Sequence, residues 1–145
     1  MLGDKMSPYF DEYLHSIAAE GRIEGEDIEA MRTVLREEMA LDRDIVEKLI
    51  DLDRRADAPR EWRDFLSETI ADLAVRVEGS LGAVSSDTSD WLVGQLLGPS
   101  GVPAPSAAQV IEAVVARARE PGPIRTRFAM ALSRGPYPVR TSAAS

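Results

Sequence analysis

The chain has 145 residues, no cysteine and a net charge of −8 at pH 7. The lack of cysteine excludes a disulfide framework, a thiolate nucleophile and a cysteine-based zinc site. The apolar fraction of 44% and the charged fraction of 29% are ordinary for one globular domain. No apolar run approaches the roughly 20 residues that span a bilayer, and no basic-then-apolar signal segment is present, so we expect a cytoplasmic protein without membrane contact.

The charge is unevenly distributed along the chain. Residues 117–145 contain six arginines and one glutamate, whereas the preceding residues are strongly acidic. Nucleic-acid binding needs clustered Lys and Arg side chains against phosphates, so the acidic body predicts no nucleic-acid partner. The favoured interpretation of the basic end is that its arginines balance the negative charge of the rest of this chain. The alternative is that they contact an acidic partner or a second copy of the chain.

Three helices are predicted in the first part of the chain, because apolar residues recur at spacings of three and four. Ser7 and Pro8 are predicted to open the first helix, Gly21 to end it, and Asp42 to cap the third. The residues predicted to face the core are Phe10, Tyr13, Leu14, Ile17 and Ala18, then Ile28, Met31, Val34, Leu35 and Met39, then Ile45, Val46, Leu49, Ile50 and Leu52.

The longest apolar stripe follows Asp57 and runs to Val77. Its members are Trp62, Phe65, Leu66, Thr69, Ile70, Leu73, Ala74 and Val77. Asp57 is predicted to be the N-cap, with Pro59 in the first turn. A stripe that is continuous over so many turns predicts a central helix that packs against both halves of the chain.

Three more helices are predicted after a glycine-containing connector at residues 79–84. Ser85, Ser86 or Asp87 is predicted to cap the fifth helix and Ser106 the sixth. The predicted core residues are Trp91, Leu92, Gln95, Leu96 and Leu97, then Val110, Ile111, Val114, Val115 and Ala118, then Ile124, Phe128, Ala131 and Leu132. No segment alternates with a period of two, so the predicted class is all-α with about seven helices.

The helices are predicted to form an internal repeat. The junctions Gly21-Arg22-Ile23 and Gly82-Ala83-Val84 lie 61 residues apart, and the boundary at Asp57-Ala58-Pro59 recurs at Glu120-Pro121-Gly122. We interpret this as two three-helix units sharing one core, since a single unit cannot bury its own apolar faces. Chance recurrence of glycine-containing connectors is the alternative. The predicted bounds are one domain at 1–135, with repeats at 7–56 and 57–119, an extra helix at 122–134, and a flexible tail at 136–145.

The two junctions resemble the twelve-residue calcium loop of an EF-hand, which has glycine at position six, a β-branched residue at eight and a bidentate glutamate at twelve. The loops would be residues 16–27 and 77–88, and positions six and eight match. Positions three, five and twelve are Ala18, Glu20 and Asp27 in the first loop, and Gly79, Leu81 and Thr88 in the second. With so few carboxylates we predict EF-hand-like junctions that lack metal ligands and pair with each other through a short β-bridge.

His15 is the only histidine, and Asp11 and Glu12 precede it at helical spacing. This arrangement can orient an imidazole as a base or supply two metal ligands. Without a second histidine, the favoured interpretation is a surface histidine in a local ion pair. No phosphate-binding glycine loop, Gly-x-Ser-x-Gly or His-Glu-x-x-His motif is present. We therefore predict a non-enzymatic chain with no catalytic, cofactor-binding or metal-binding residues.

Two tryptophans and an arginine-rich turn are the other candidate features. Trp62 and Trp91 lie on apolar stripes, which favours core packing; a half-exposed tryptophan at a partner groove is the alternative. The arginines around the fourth helix start are Arg54, Arg55, Arg60 and Arg63, and they alternate with Asp53, Asp57, Glu61 and Asp64. Local ion pairs are predicted for them, rather than a phosphate site.

The run Asp57-Ala58-Pro59-Arg60-Glu61-Trp62-Arg63-Asp64-Phe65, with Gly82-Ala83-Val84 and Ser89-Asp90-Trp91-Leu92, resembles a group of uncharacterised alphaproteobacterial all-helical repeat proteins. The resemblance covers roughly residues 23–120, and Ala83 stands where the group prefers tyrosine. The layout is more loosely similar to the TerB-like helical fold, whose acidic metal site does not map onto this chain. The resemblance implies the architecture and no activity.

These features predict a helical protein-interaction or regulatory module whose partner is another protein or a second copy of this chain. The alternative is a divalent-cation-responsive module of EF-hand-like or TerB-like type. A binding experiment with divalent cations distinguishes the two hypotheses.

Overall fold

The computed structural model describes residues 8–37 and 40–134. These residues form seven α-helices and a π-helical segment, with isolated β-bridges and no sheet. The helices are α1 Pro8–Glu20, α2 Gly25–Glu37, α3 Arg43–Arg55, α4 Arg60–Ala71, α5 Ser86–Leu97, α6 Ala107–Arg117 and α7 Ile124–Arg134, and the π-helical segment is Asp72–Val77. The predicted all-α class is confirmed. No helix in the described ranges is long and apolar enough to cross a membrane.

Four of the sequence predictions lie outside the described residues. They are the opening of the first helix at Ser7, the inward position of Met39, the end of the domain at residue 135, and the tail at 136–145.

The apolar faces of all seven helices meet in one hydrophobic core. The helix α4 lies at its centre, because it contacts α2, α3 and α6. Trp62 and Ile70 on α4 are completely buried, in agreement with the predicted stripe. Removal of these apolar side chains from water is the main force that holds the helices together.

The long stripe does not continue as an α-helix to its predicted end. From Asp72 the backbone winds as a π-helix, and the N–H of Glu78 donates to the carbonyl of Leu73 at 2.8 Å, five residues back. This wider turn rotates the side chains that follow it relative to a continued α-helix. Leu73 stays buried, whereas Val77 is 44% exposed. The prediction that Val77 faces the core is wrong for this reason.

Leu132 on α7 was also predicted to face the core and is 42% exposed. It lies eleven residues after Pro121, as the buried Ile70 lies eleven residues after Pro59. Ile70 is covered because α6 packs against α4. Within the described part of the chain, no helix follows α7 to cover Leu132 in the same way.

The predicted caps are partly confirmed. Asp42 accepts a hydrogen bond from the N–H of Ile45 at 3.0 Å, and Ser85 accepts one from the N–H of Thr88 at 3.0 Å. The prediction for Asp57 is wrong: α4 begins at Arg60 after Pro59, and no side chain caps it. The backbone of Asp57 is used elsewhere, in a β-bridge with Arg22.

Each glycine-containing junction pairs with a segment that follows the third helix of its own predicted unit. Ile23 donates to the carbonyl of Asp57 at 2.8 Å, and Asp57 donates back to Gly21 at 2.9 Å. The second junction makes the corresponding bonds: Val84 donates to Glu120 at 2.9 Å, and Glu120 donates to Gly82 at 3.3 Å. The expectation that the two junctions pair with each other is therefore wrong.

Helix contacts follow the same correspondence. In the first predicted unit, α1 contacts α3, and in the second unit α4 contacts α6 in the same way. The helix α4 that follows the first unit contacts α2 and α3. The helix α7 that follows the second unit contacts α5 and α6 correspondingly. Thus α7 lies against α5 and α6 as α4 lies against α2 and α3. A repeat would produce this pattern, and the repeat itself stays a prediction.

Candidate functional site

His15 lies at a cleft between α1 and α3. The cleft has a volume of about 270 Å³, and Asp11, Lys48 and Asp51 also line it. The His15 side chain is 74% exposed, and its Nδ1 is 3.9 Å from Asp11, whose other carboxylate oxygen is 3.3 Å from Lys48. The 3.9 Å between His15 Nδ1 and Asp11 exceeds the roughly 2.6–3.2 Å at which a carboxylate orients an imidazole base. The geometry is that of a surface histidine near a carboxylate.

Asp27, at position twelve of the first EF-hand-like junction, is used within the fold. One carboxylate oxygen accepts from the Tyr13 hydroxyl at 2.6 Å, and the other accepts from the N–H of Glu24 at 2.9 Å. Burial, and then the bond to Asp27, raise the pKa of the Tyr13 phenol. In the ranges 8–37 and 40–134 no three His, Asp or Glu side chains converge to hold a metal ion. The cation-responsive alternative stays a prediction without a ligand set among these residues.

Thr88, at position twelve of the second junction, belongs to a polar network between α3 and α5. Its hydroxyl donates to Glu78 at 2.7 Å, and Glu78 also accepts two hydrogen bonds from Arg43. The Arg43 guanidinium lies 4.6 Å from the ring centre of Trp91, whose indole N–H donates to Glu47 at 2.9 Å. Trp91 is half-buried and engaged on both its face and its edge, so it is not available as the centre of a partner groove.

Asp53 is a buried carboxylate that joins three helices. It accepts from the indole N–H of Trp62 at 2.9 Å, and from the backbone N–H and hydroxyl of Ser106 at 2.9 and 2.8 Å. The ion pair that we predicted for Asp53 is therefore wrong. Arg54 is also not in such a pair, because it donates to the carbonyls of Gln95 and Leu96 at the end of α5.

Three of the five described arginines in the basic C-terminal segment lie beside carboxylates of the acidic body. Arg117 lies 3.8 Å from Asp72, Arg125 lies 2.5 Å from Glu112, and Arg127 pairs with Asp90. These contacts agree with the prediction that the segment balances the charge of the body. They assign no binding site to it.

The remaining open feature is a groove between α2 and α4, which we call the α2–α4 groove. It has a volume of about 600 Å³, and its apolar lining comes from Leu35, Leu41, Phe65 and Val77. Leu35 and Leu41 are half-buried, and Val77 is turned into the groove by the π-helical segment. The groove thus offers partly exposed apolar surface between two helices, which is the usual character of a binding site.

Charged side chains surround this apolar surface. Arg32 and Arg36 lie on the α2 side, and Asp72 and Arg76 lie on the side of the π-helical segment. The Arg32 guanidinium is 5.2 Å from the ring centre of Phe65, a cation–π distance. Arg76 binds Asp72 through two hydrogen bonds of 2.7 Å, which lower the pKa of that carboxyl. The rim therefore carries three guanidinium groups and one carboxylate.

The groove was not singled out from the sequence. The spacing of Arg32, Leu35 and Arg36 shows only that they share one face of α2. That this face lies beside Val77 depends on the π-helical segment and on the packing of α2 against α4. Comparisons with protein-family models, with curated proteins and with solved structures found no match for this chain.

Proposed function

We propose that this chain is a non-enzymatic helical interaction module of the cytoplasm, and that it receives a protein partner in the α2–α4 groove. One observation carries the proposal: the π-helical segment turns Val77 out of the core stripe and into an open groove with Leu35, Leu41 and Phe65. An apolar side chain left in water costs free energy that a partner recovers by covering it.

The other polar features support this choice because the fold uses them internally. Asp27, Asp53 and Glu78 each accept hydrogen bonds from described residues, and His15 faces solvent. The groove is a concave feature in which several apolar side chains of the described residues line one open space. The acidic composition and the lack of cysteine support a cytoplasmic setting.

Affinity capture with paired variants tests the proposal. Wild-type chain, Val77→Asp and Met130→Asp are immobilised and exposed to cytoplasmic extract of the source cell. Met130 on α7 is half-exposed and away from the groove, so its variant controls for the added charge. We expect a protein that is retained by wild type and Met130→Asp and lost with Val77→Asp. Equal retention by all three chains, or retention of nothing, would contradict the proposal.

Sedimentation of the purified chain tests whether the partner is a second copy. A dimer that Val77→Asp converts to a monomer and Met130→Asp does not would identify self-association through the groove. A wild-type monomer leaves another protein as the partner.

A further inference from the structure

We propose that the partner of the α2–α4 groove is an acidic amphipathic helix of another protein. This inference rests on the proposed function and names the class of ligand that the groove takes. Three properties of the groove carry it: the shape of its walls, the character of its floor and the charge of its rim.

The walls favour a helix. The α4 side is lined by Phe65, Thr69, Asp72 and Arg76, which extend over twelve residues and therefore roughly 16 Å, or about three helical turns. Such a length accepts apolar side chains at i, i+3 or i+4, and i+7 of a docked helix. The described residues contain no sheet edge to which an extended peptide could add a strand. A proline-rich ligand needs exposed aromatic faces, and Phe65 is almost fully buried.

The floor favours apolar anchors of moderate size. Leu35 and Leu41 lie on the α2 side and Val77 on the other, and the almost fully buried Phe65 completes the apolar lining. Aliphatic side chains of a docked helix pack against these groups without a buried polar atom to satisfy. The ligand is therefore amphipathic, with one apolar stripe facing the groove.

The rim favours acidic flanks. Arg32 and Arg36 are four residues apart on α2, an arrangement that repels within the helix. Arg32 forms long, solvent-exposed ion pairs with Glu29 at 3.7 Å and Glu68 at 3.8 Å, which are weaker than hydrogen-bonded pairs. Arg36 has no ion-pair partner among residues 8–37 and 40–134. Carboxylates of a docked helix would meet these two groups on the α2 side, whereas Arg76 on the other side is already bound by Asp72 through two hydrogen bonds.

The charge of the whole chain makes this rim selective. A net charge of −8 repels a long polyanion, whereas a short acidic helix can confine its carboxylates to the arginines on the α2 side of the rim. The complementarity also predicts that binding weakens with salt, because the rim charges are exposed.

A selection from a peptide library tests the class of ligand. The library consists of helical peptides of about 16 residues with leucine fixed at i, i+3 and i+7, and with flanking positions randomised over Glu, Lys, Gln and Ser. The bait is the full chain. We expect the selected peptides to carry glutamate on the flank that lies against Arg32 and Arg36. Selection of lysine-rich flanks, of no charge preference, or of no peptide at all would overturn the proposal.

Binding of the most enriched peptide to variants then tests the location. Fluorescence anisotropy is expected to show Kd raised by about tenfold or more in Arg36→Glu and in Val77→Asp, which corresponds to roughly 1.4 kcal/mol or more. Arg134→Glu, which makes the same charge change on α7, is expected to leave Kd within about twofold. A lysine-for-glutamate version of the peptide is expected to prefer Arg36→Glu over wild type. Equal Kd values in all four chains would place the peptide elsewhere and overturn the proposal.

The two proposals fail in different ways. If captured protein depends on Val77 but the library shows no acidic preference, the ligand class is wrong and the interaction function stands. If capture does not depend on Val77, the interaction function through this groove is wrong.

Discussion

Arg43 holds Glu78 through two parallel hydrogen bonds, from Nε to one carboxylate oxygen at 2.7 Å and from Nη2 to the other at 2.8 Å. The contact joins the start of α3 to the residue that follows the π-helical segment. It is only partly exposed, so solvent screens it less than the ion pairs on the surface. The geometry is the planar, two-point form in which an arginine binds a carboxylate most strongly.

The first prediction concerns the pH dependence of this contact. The hydrogen bonds from Arg43, and then that from Thr88, hold the pKa of Glu78 below its usual value of 4.5. The unfolded chain therefore binds a proton at a higher pH than the folded chain does. The stabilisation is fully present above about pH 4.5 and is lost as the pH falls through the folded pKa.

Urea unfolding of Glu78→Gln measures this effect. At neutral pH we expect the variant to be less stable than wild type by about 1.5–3 kcal/mol, because hydrogen bonds to a charged group are lost. The difference is expected to shrink as the pH is lowered below about 4.5. Glu112→Gln removes an exposed ion pair with Arg125 and is the control, with an expected change below about 1 kcal/mol. If the stability difference between wild type and Glu78→Gln grows as the pH is lowered, the predicted direction of the Glu78 pKa shift is wrong.

The second prediction concerns the buried Asp53. We expect Asp53→Ala to lower the free energy of unfolding by about 2–5 kcal/mol, since the Trp62 indole and the Ser106 backbone N–H lose their acceptor and each buried, unsatisfied donor costs about 1–3 kcal/mol. Asp51→Ala is the matched control on the same helix, because Asp51 is exposed and forms a surface ion pair with Arg55. Equal stabilities of the two variants would show that the Asp53 contacts contribute little.

The apolar stripes were predictable and the Asp53 contacts were not, for a physical reason. A helical stripe is a local pattern, because spacings of three and four place side chains on one face whatever lies opposite. Asp53 and Ser106 are separated by 53 residues, and only the packing of α3 against the start of α6 brings them together. A charge next to arginines in the sequence therefore suggested an ion pair that the fold does not make.

The predicted core position of Val77 is wrong for a related reason. The stripe from Trp62 to Val77 fits an α-helical period throughout, and the period says nothing about a local change to a π-helix. The α2–α4 groove depends on that change, so the candidate site was hidden even though the stripe itself was mostly correct.

The third prediction concerns the shared core. Leu66 and Ile70 are fully buried on α4, between the helices of both predicted units. We expect Leu66→Ala or Ile70→Ala to cost about 2–5 kcal/mol, with unfolding that remains a single transition. Calorimetry and tryptophan fluorescence measure both properties. Two separate transitions in either variant would show that the units have independent cores.

The fourth prediction compares two glycines. A β-carbon at position 79 would lie 2.2 Å from the carbonyl oxygen of Val75, whereas one at position 94 on α5 would meet nothing within 4 Å. We expect Gly79→Ala to destabilise by at least about 1–3 kcal/mol, because backbone must move at the end of the π-helical segment. Gly94→Ala is expected to stabilise by about 0.5–1 kcal/mol through its higher helix propensity. Thermal unfolding of both variants measures these changes in stability. If Gly79→Ala is as stable as wild type, the turn at position 79 is not tightly packed.

The last prediction concerns Leu81, at the tip of the connector after the π-helical segment. Ser80 and Ala83 exchange backbone hydrogen bonds of 3.1 and 3.0 Å around a two-residue turn. Both central residues have positive φ, 53° at Leu81 and 85° at Gly82. This turn favours Asn-Gly, and the left-handed conformation costs an ordinary residue such as leucine roughly 1–2 kcal/mol.

Leu81→Asn is therefore expected to stabilise the chain by about 1 kcal/mol. The leucine side chain is 88% exposed, so its removal costs the fold almost no apolar burial. Leu81→Ala is the control: it also removes the apolar side chain but keeps the strained conformation, so we expect little change. Chemical unfolding of the three chains separates the two effects. A gain in Leu81→Asn alone would assign the cost to the backbone, whereas a loss in both variants would show that the leucine side chain itself supports the fold.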